Sequence, residues 1–97
     1  AGSPMAGRLE VLDLTSNPVG DAGVAALAGS ARLAGLRELR LVQASIGPAG
    51  AVALAASPHL GGLECLDLRD NPGIGGAPAA ALRARYEDRV RLDPAEG

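Results

Sequence analysis

The charged side chains of this sequence recur at a fixed interval. Glu10, Arg37 and Glu64 stand 27 residues apart, and so do Asp13, Arg40 and Asp67. Carboxylates and guanidiniums alternating in this way can pair with one another, or they can present a charged strip to a partner. General acid–base catalysis fits poorly, because it needs a carboxyl group held in a cleft within reach of a substrate. The other reactive groups are single: one thiol, Cys65, and one imidazole, His59. Thiol catalysis needs the two within hydrogen-bond reach and a third group to orient the imidazole. His59 falls in a link between elements and Cys65 on the open face of a strand, so that arrangement is not expected. Zinc takes three or four protein ligands, so no metal site is expected either. Gly73-Ile-Gly75-Gly-Ala-Pro78 follows a strand and opens a helix, like a phosphate-binding glycine loop. Its third glycine is missing and Pro78 removes a backbone donor, so no nucleotide or other cofactor is expected.

The elements that position these charges are set by a repeat. Leu36-Arg-Glu-Leu39-Arg-Leu41 is preceded by Leu9-Glu-Val-Leu12-Asp-Leu14 and followed by Leu63-Glu-Cys-Leu66-Asp-Leu68, again 27 residues apart. A period of this size is the mark of a solenoid. Each unit reads as a short strand with alternate leucines facing a core, then a helix that returns the chain. In the first unit the strand covers about 9–14 and Asn17-Pro18 ends it. Asp21 is the expected N-cap of a helix over 22–28, with Val24 and Leu27 inward. Leu33 packs beneath the link to the next strand. Gly20, Ala22, Gly23, Ala26, Leu27, Ala28, Ser30, Leu33 and Gly35 recur 27 residues later. Pro48 sits near the start of the second helix, where a missing N–H costs nothing. The third unit gains one residue at Gly73. Its helix, near 78–85, carries Arg83 and Arg85, charges suited to a terminal unit. Val90 and Leu92 then mark a truncated fourth strand. The domain plan is a lead-in over 1–8 (a cloning remnant ahead of Met5, or a loose natural terminus), a repeat domain over 9–92 and a tail over 93–97. The repeats run 9–35, 36–62 and 63–89, with a partial strand at 89–92.

Strand alternation arranges the open face in rows across the sheet, with neighbours about 4.8 Å apart. Val11, Glu38, Cys65 and Arg89 form one row. Asp13, Arg40, Asp67 and Arg91 form the next, and Thr15, Val42, Arg69 and Asp93 the third. The middle row alternates in sign. Such a ladder favours cross-strand pairing over a binding strip, because a neutralised row offers a partner little net field.

Composition bounds the rest. The chain has 97 residues, room for one domain, and 47% of them are hydrophobic, yet only Tyr86 is aromatic. A net charge of −2 is too small to steer a nucleic acid or an anionic membrane. No apolar run approaches the roughly 20 residues needed to span a bilayer, and no signal peptide is apparent. One cysteine excludes an internal disulfide and fits a reducing, cytoplasmic compartment. All nine basic residues are Arg, which together with abundant Ala, Gly and Pro reads as the codon bias of a GC-rich bacterial genome.

The three copies of LxxLxLxxN/AxI/V, each followed by a glycine-containing helical half, resemble the leucine-rich-repeat family, most closely its ribonuclease-inhibitor-like type. The likeness covers about 9–92, and the Arg-Val-Arg-Leu ending resembles the C-terminal end of bacterial members. Two departures stand out. Ala44 replaces the turn Asn of the second unit, with Ser45 as a candidate substitute, and no N-terminal cap precedes Leu9. The resemblance implies an α/β, right-handed solenoid with a short parallel sheet on its concave side and helices on its convex side. It further implies a non-catalytic role binding a protein partner through the concave face: Val11, Asp13, Thr15, Glu38, Arg40, Val42, Cys65, Asp67, Arg69, Arg89 and Arg91. The chain would then be the C-terminal part of a longer repeat protein. One alternative is self-assembly as a homodimer through an uncapped N-terminal edge formed by Leu9, Leu12 and Val24. A more remote one is GTPase regulation, since Ran GTPase-activating proteins share the repeat type.

Overall fold

The computed structural model of the chain describes residues 10–93. The expectations for Leu9, for the lead-in over 1–8 and for the last four residues of the tail lie outside them. Within this span the strands are β1 (Val11–Asp13), β2 (Glu38–Arg40), β3 (Cys65–Asp67) and β4 (Val90–Arg91). The helices are α1 (Gly20–Ala28), α2 (Pro48–Ala56) and α3 (Gly76–Tyr86), and 3-10 turns occupy Ala31–Leu33 and Glu87–Arg89.

The strands form one parallel sheet in chain order. The register follows the repeat: Val11 pairs with Glu38 and Glu38 with Cys65, Leu12 with Leu39 and Leu39 with Leu66, Asp13 with Arg40 and Arg40 with Asp67. In the last link Leu66 meets Val90 and Asp67 meets Arg91. Each strand is three residues or fewer, shorter than the leucine alternation suggests, because the backbone turns soon after it. Ser16, Gln43 and Asp70, at equivalent places in the three repeats, all adopt left-handed backbone angles (φ 65°, 55° and 60°). None is glycine, so each turn carries strain that the stack must hold.

The period-two pattern divides the sheet. Leu39 and Leu66 are wholly buried, while Arg40 is exposed and Glu38 and Cys65 are half-buried. Behind the sheet, Leu36, Leu41, Leu54, Leu60, Leu63, Leu68 and Leu82 join them in one aliphatic core with Tyr86, whose ring is also fully covered. Leu33, in the first 3-10 turn, packs against this core as expected.

Helix boundaries depart from the sequence reading. α1 starts at Gly20, whose φ of 71° brings the chain out of the turn, and Val19 holds the cap position. Asp21 therefore lies in the first turn of its own helix and does not cap it. α2 starts at Pro48 behind Gly47, as the proline suggests. α3 is longer than expected, and Glu87 ends it with φ 55° and ψ −128°, angles that suit glycine.

Two substitutions separate the two sides of the sheet. Leu39→Ala empties a fully covered site in a central strand and should lower stability by roughly 2–5 kcal/mol. Arg40→Ala, one residue on, should leave the urea midpoint almost unchanged.

Candidate functional site

The exposed sheet face carries the repeated charges, and its pairing differs from row to row. In the row at the strand entrances, Arg37 bridges repeats: its guanidinium lies 3.3 Å from Glu10 and 2.6 Å from Glu64. These bonds raise the Arg37 pKa and hold Glu64 below the usual carboxylate range. The middle row does not pair across strands, contrary to the alternation of its signs. Arg40 turns along its own strand to Glu38. Arg69 turns back to Asp67 with two bonds, Nε to Oδ1 at 2.9 Å and Nη2 to Oδ2 at 2.8 Å. The Arg69 bonds depress the Asp67 carboxyl, opposing the effect of its burial. Glu38, Arg40, Cys65, Asp67, Arg69 and Arg91 together line a shallow depression of about 400 Å³.

Four of the expected face residues fall elsewhere than on the strands, Arg69 among them. Thr15 is exposed beyond the end of β1 and donates its N–H to Asp13 (3.0 Å). Its side chain and N–H together lower the Asp13 pKa. Val42 is half-buried after β2. Arg89 corrects the reading: it lies in the 3-10 turn before β4, outside the paired strands. Its guanidinium donates to the carbonyls of Leu63 (2.8 Å), Tyr86 (3.1 Å), Arg85 (3.2 Å) and Gly61 (3.3 Å). It closes the end of the stack, with its donors spent on main-chain carbonyls.

Polar atoms between repeats satisfy backbone groups that the turns leave open. Asn71 is buried, and its Oδ1 accepts from the N–H groups of Ala44 (3.0 Å) and Ile46 (3.1 Å) in the preceding repeat. Its Nδ2 donates to Leu41, Leu68 and Arg69 carbonyls. At the first turn the equivalent N–H groups, of Asn17 and Val19, bond to the carbonyls of Leu14 and Asn17, so Ala44 leaves neither donor open. Ser45 is exposed and does not substitute for an Asn. Asp21 reaches forward: its Oδ1 accepts from Gly47 (2.7 Å) and Gly50 (2.9 Å), capping α2 from the neighbouring repeat. A Cβ on Gly50 would stand 2.6 Å from that oxygen. At the other helix ends, the Ser57 hydroxyl donates to the Ala28 carbonyl (2.6 Å), and the Tyr86 hydroxyl to that of Leu54 (2.7 Å). Arg85 adds bonds to Leu54 and Ala55.

The sequence contains copies of a known unit. The family described as Leucine Rich repeat matches residues 9–28 and 36–55, the first two of the three units. The chain is a leucine-rich-repeat protein. No curated protein matches it. Repeats of this family generally mediate contacts between proteins, and they are typically non-enzymatic.

In this leucine-rich-repeat chain the other candidates carry little chemistry. Gly75 uses its positive φ of 85° to begin α3, the job the repeat gives that position, and Gly76 follows it directly into the helix. Among the described residues, no three His, Cys, Asp or Glu side chains come together as a metal site. Val24, expected at a self-association edge, is wholly buried. The partly covered residues of the first repeat are instead Leu12, Leu14, Val19 and Leu27. A second depression, about 770 Å³, lies between the first half of α3 and the end of β4, lined by Leu68, Ile74, Ala79, Arg83 and Leu92 among others.

The seams can be tested by substitution and by acid. Asn71→Leu keeps the branched outline but strands two N–H groups, and should cost on the order of 3 kcal/mol by urea denaturation. Asp67 and Glu64 have folded pKa values below their unfolded ones. Their contribution is therefore present above about pH 4 and lost as pH falls through the folded values. Asp67→Asn should flatten the acid limb of a stability–pH curve, leaving the plateau above pH 6 parallel to that of the unsubstituted protein.

Proposed function

We propose that this leucine-rich-repeat protein is a non-catalytic module that binds a protein partner through the open face of its sheet. That face lies on the concave side of a right-handed solenoid, and the chain serves as the C-terminal part of a longer repeat protein. The observation that carries the reading is the face itself. Val11, Asp13, Glu38, Arg40, Cys65, Asp67 and Arg91 stand in register on parallel strands while the leucines between them fill the core. A face so fixed costs little entropy to immobilise on binding. The ionised state of its carboxylates supports recognition over acid catalysis, since Asp13 and Asp67 are held below the ordinary range and stay charged at neutral pH. The single cysteine and the arginine-only basic set support a bacterial cytoplasmic setting.

Arg40 sits at the centre of the face. Arg40→Glu would place its carboxylate beside Glu38 and between Asp13 and Asp67, leaving the core untouched. A partner captured from source lysate and identified should lose at least tenfold in affinity for this variant by calorimetry. Affinity unchanged by the substitution would sink the sheet-face reading.

Self-association is the second reading, and one observation favours it. Leu12, Leu14 and Leu27 remain partly exposed, whereas their counterparts Leu39, Leu41 and Leu54 are wholly covered by the preceding repeat. Two copies meeting through these flanks would run their β1 strands antiparallel about a two-fold axis. Light scattering over a dilution series should then show a dimer that dissociates, and Leu27→Glu should abolish it. A monomer at every concentration removes this reading.

A further inference from the structure

The charges on the sheet face cancel unevenly. In the middle row Arg40 is engaged by Glu38 and Asp67 by Arg69, both within one repeat. Asp13 at one end of that row and Arg91 at the other have no ion-pair partner within 4.0 Å among the described residues, and both are exposed. Three strand spacings separate them, about 14 Å. The row therefore presents a negative end at Asp13 and a positive end at Arg91, with its middle neutralised. Val11, 51% exposed, lies beside the negative pole.

We infer that the face recognises an extended segment of a partner protein that crosses the strands and places a basic and an acidic side chain four residues apart over Asp13 and Arg91. This rests on the sheet-face reading and adds the chemistry of the partner. The spacing selects the conformation. Four extended residues span about 13–14 Å, and residues i and i+4 of an extended chain point the same way. A helix covers that distance in about nine residues, which brings the two side chains out on opposite sides. The residue between them, i+2, faces the self-paired centre and needs no charge. Because the poles are alike in reach, the segment can run in either direction. The face fixes the separation and signs of the charges and leaves their order free.

The test uses the full chain and capped ten-residue peptides of Thr, Ser and Val carrying two charges. Kd values come from backbone amide shifts in titrations at low salt. The Lys–Glu peptide with spacing four should bind at least threefold tighter than Lys–Glu with spacing three, Lys–Lys or Glu–Glu, moving the amides around Asp13 and Arg91. Asp13→Arg should switch the preference to Glu–Glu, and Arg91→Asp to Lys–Lys. The double variant Asp13→Arg with Arg91→Asp should recover the Lys–Glu preference, because the segment can reverse. A mere structural disturbance by either change would not be undone by the second. Equal affinities for all four peptides, or shifts confined to the first-repeat flank, overturn the inference. Crosslinks from a captured partner separate the two levels. If they map to the sheet face while the peptides are not distinguished, only the charge pattern is lost. If they map wholly to the helices, the sheet-face reading falls with it.

Discussion

A turn buried between two repeats leaves backbone N–H and C=O groups that no helix or strand can satisfy, and leaving them unpaired would cost about 1–3 kcal/mol apiece. This chain meets that demand with side chains from the adjacent repeat. Asn71 serves the turn around Ala44 and Ile46, Asp21 the start of α2, Ser57 the end of α1 and Tyr86 the end of α2. Among the described residues no buried side-chain polar atom is left without a partner. The repeats are thus held together by complementary hydrogen-bonding groups as well as by leucine, and the same groups fix the register that aligns the charges on the sheet face.

Much of this was legible in the sequence because its signals are translational. The 27-residue offset that aligns Leu12, Leu39 and Leu66 also aligns Asp13, Arg40 and Asp67, so the rows of the face followed from it. What did not follow was the choice of partner for each long side chain. Alternating signs suggest bridges across strands, yet Arg40 and Arg69 find carboxylates two residues back along their own repeats. Only Arg37, at the strand entrance, spans repeats as the alternation suggests.

Contacts between repeats were harder to see. Asp21 before an alanine-rich run looks like a cap for its own helix, but the helix has already begun at Gly20. A signal was present 26 and 29 residues on, in Gly47 and Gly50, where a side chain would crowd the carboxylate. Arg89 misled for a different reason. The last link is shorter, so a residue at a strand position still belongs to the turn and spends its donors on carbonyls. Val24 seemed available to a terminal edge, but α1 presses it inward against the second repeat.

The two seams are unequally latched. Between the second and third repeats stand a buried amide, a buried tyrosine hydroxyl, Arg85 and Arg89 on main-chain carbonyls and the Arg37–Glu64 pair. Between the first and second, the side-chain latches are the Asp21 carboxylate, the Ser57 hydroxyl, the exposed Arg37–Glu10 pair and an exposed bond from Ser16 to Gln43. In a solenoid, where each unit rests only on its neighbours, local opening follows the weakest junction. By its hydrogen bonds alone the first junction is the weaker, and its opening would uncover the Leu36–Leu41 flank. Such an opening would make unfolding a sequence of steps and would bare a leucine surface that the resting form conceals.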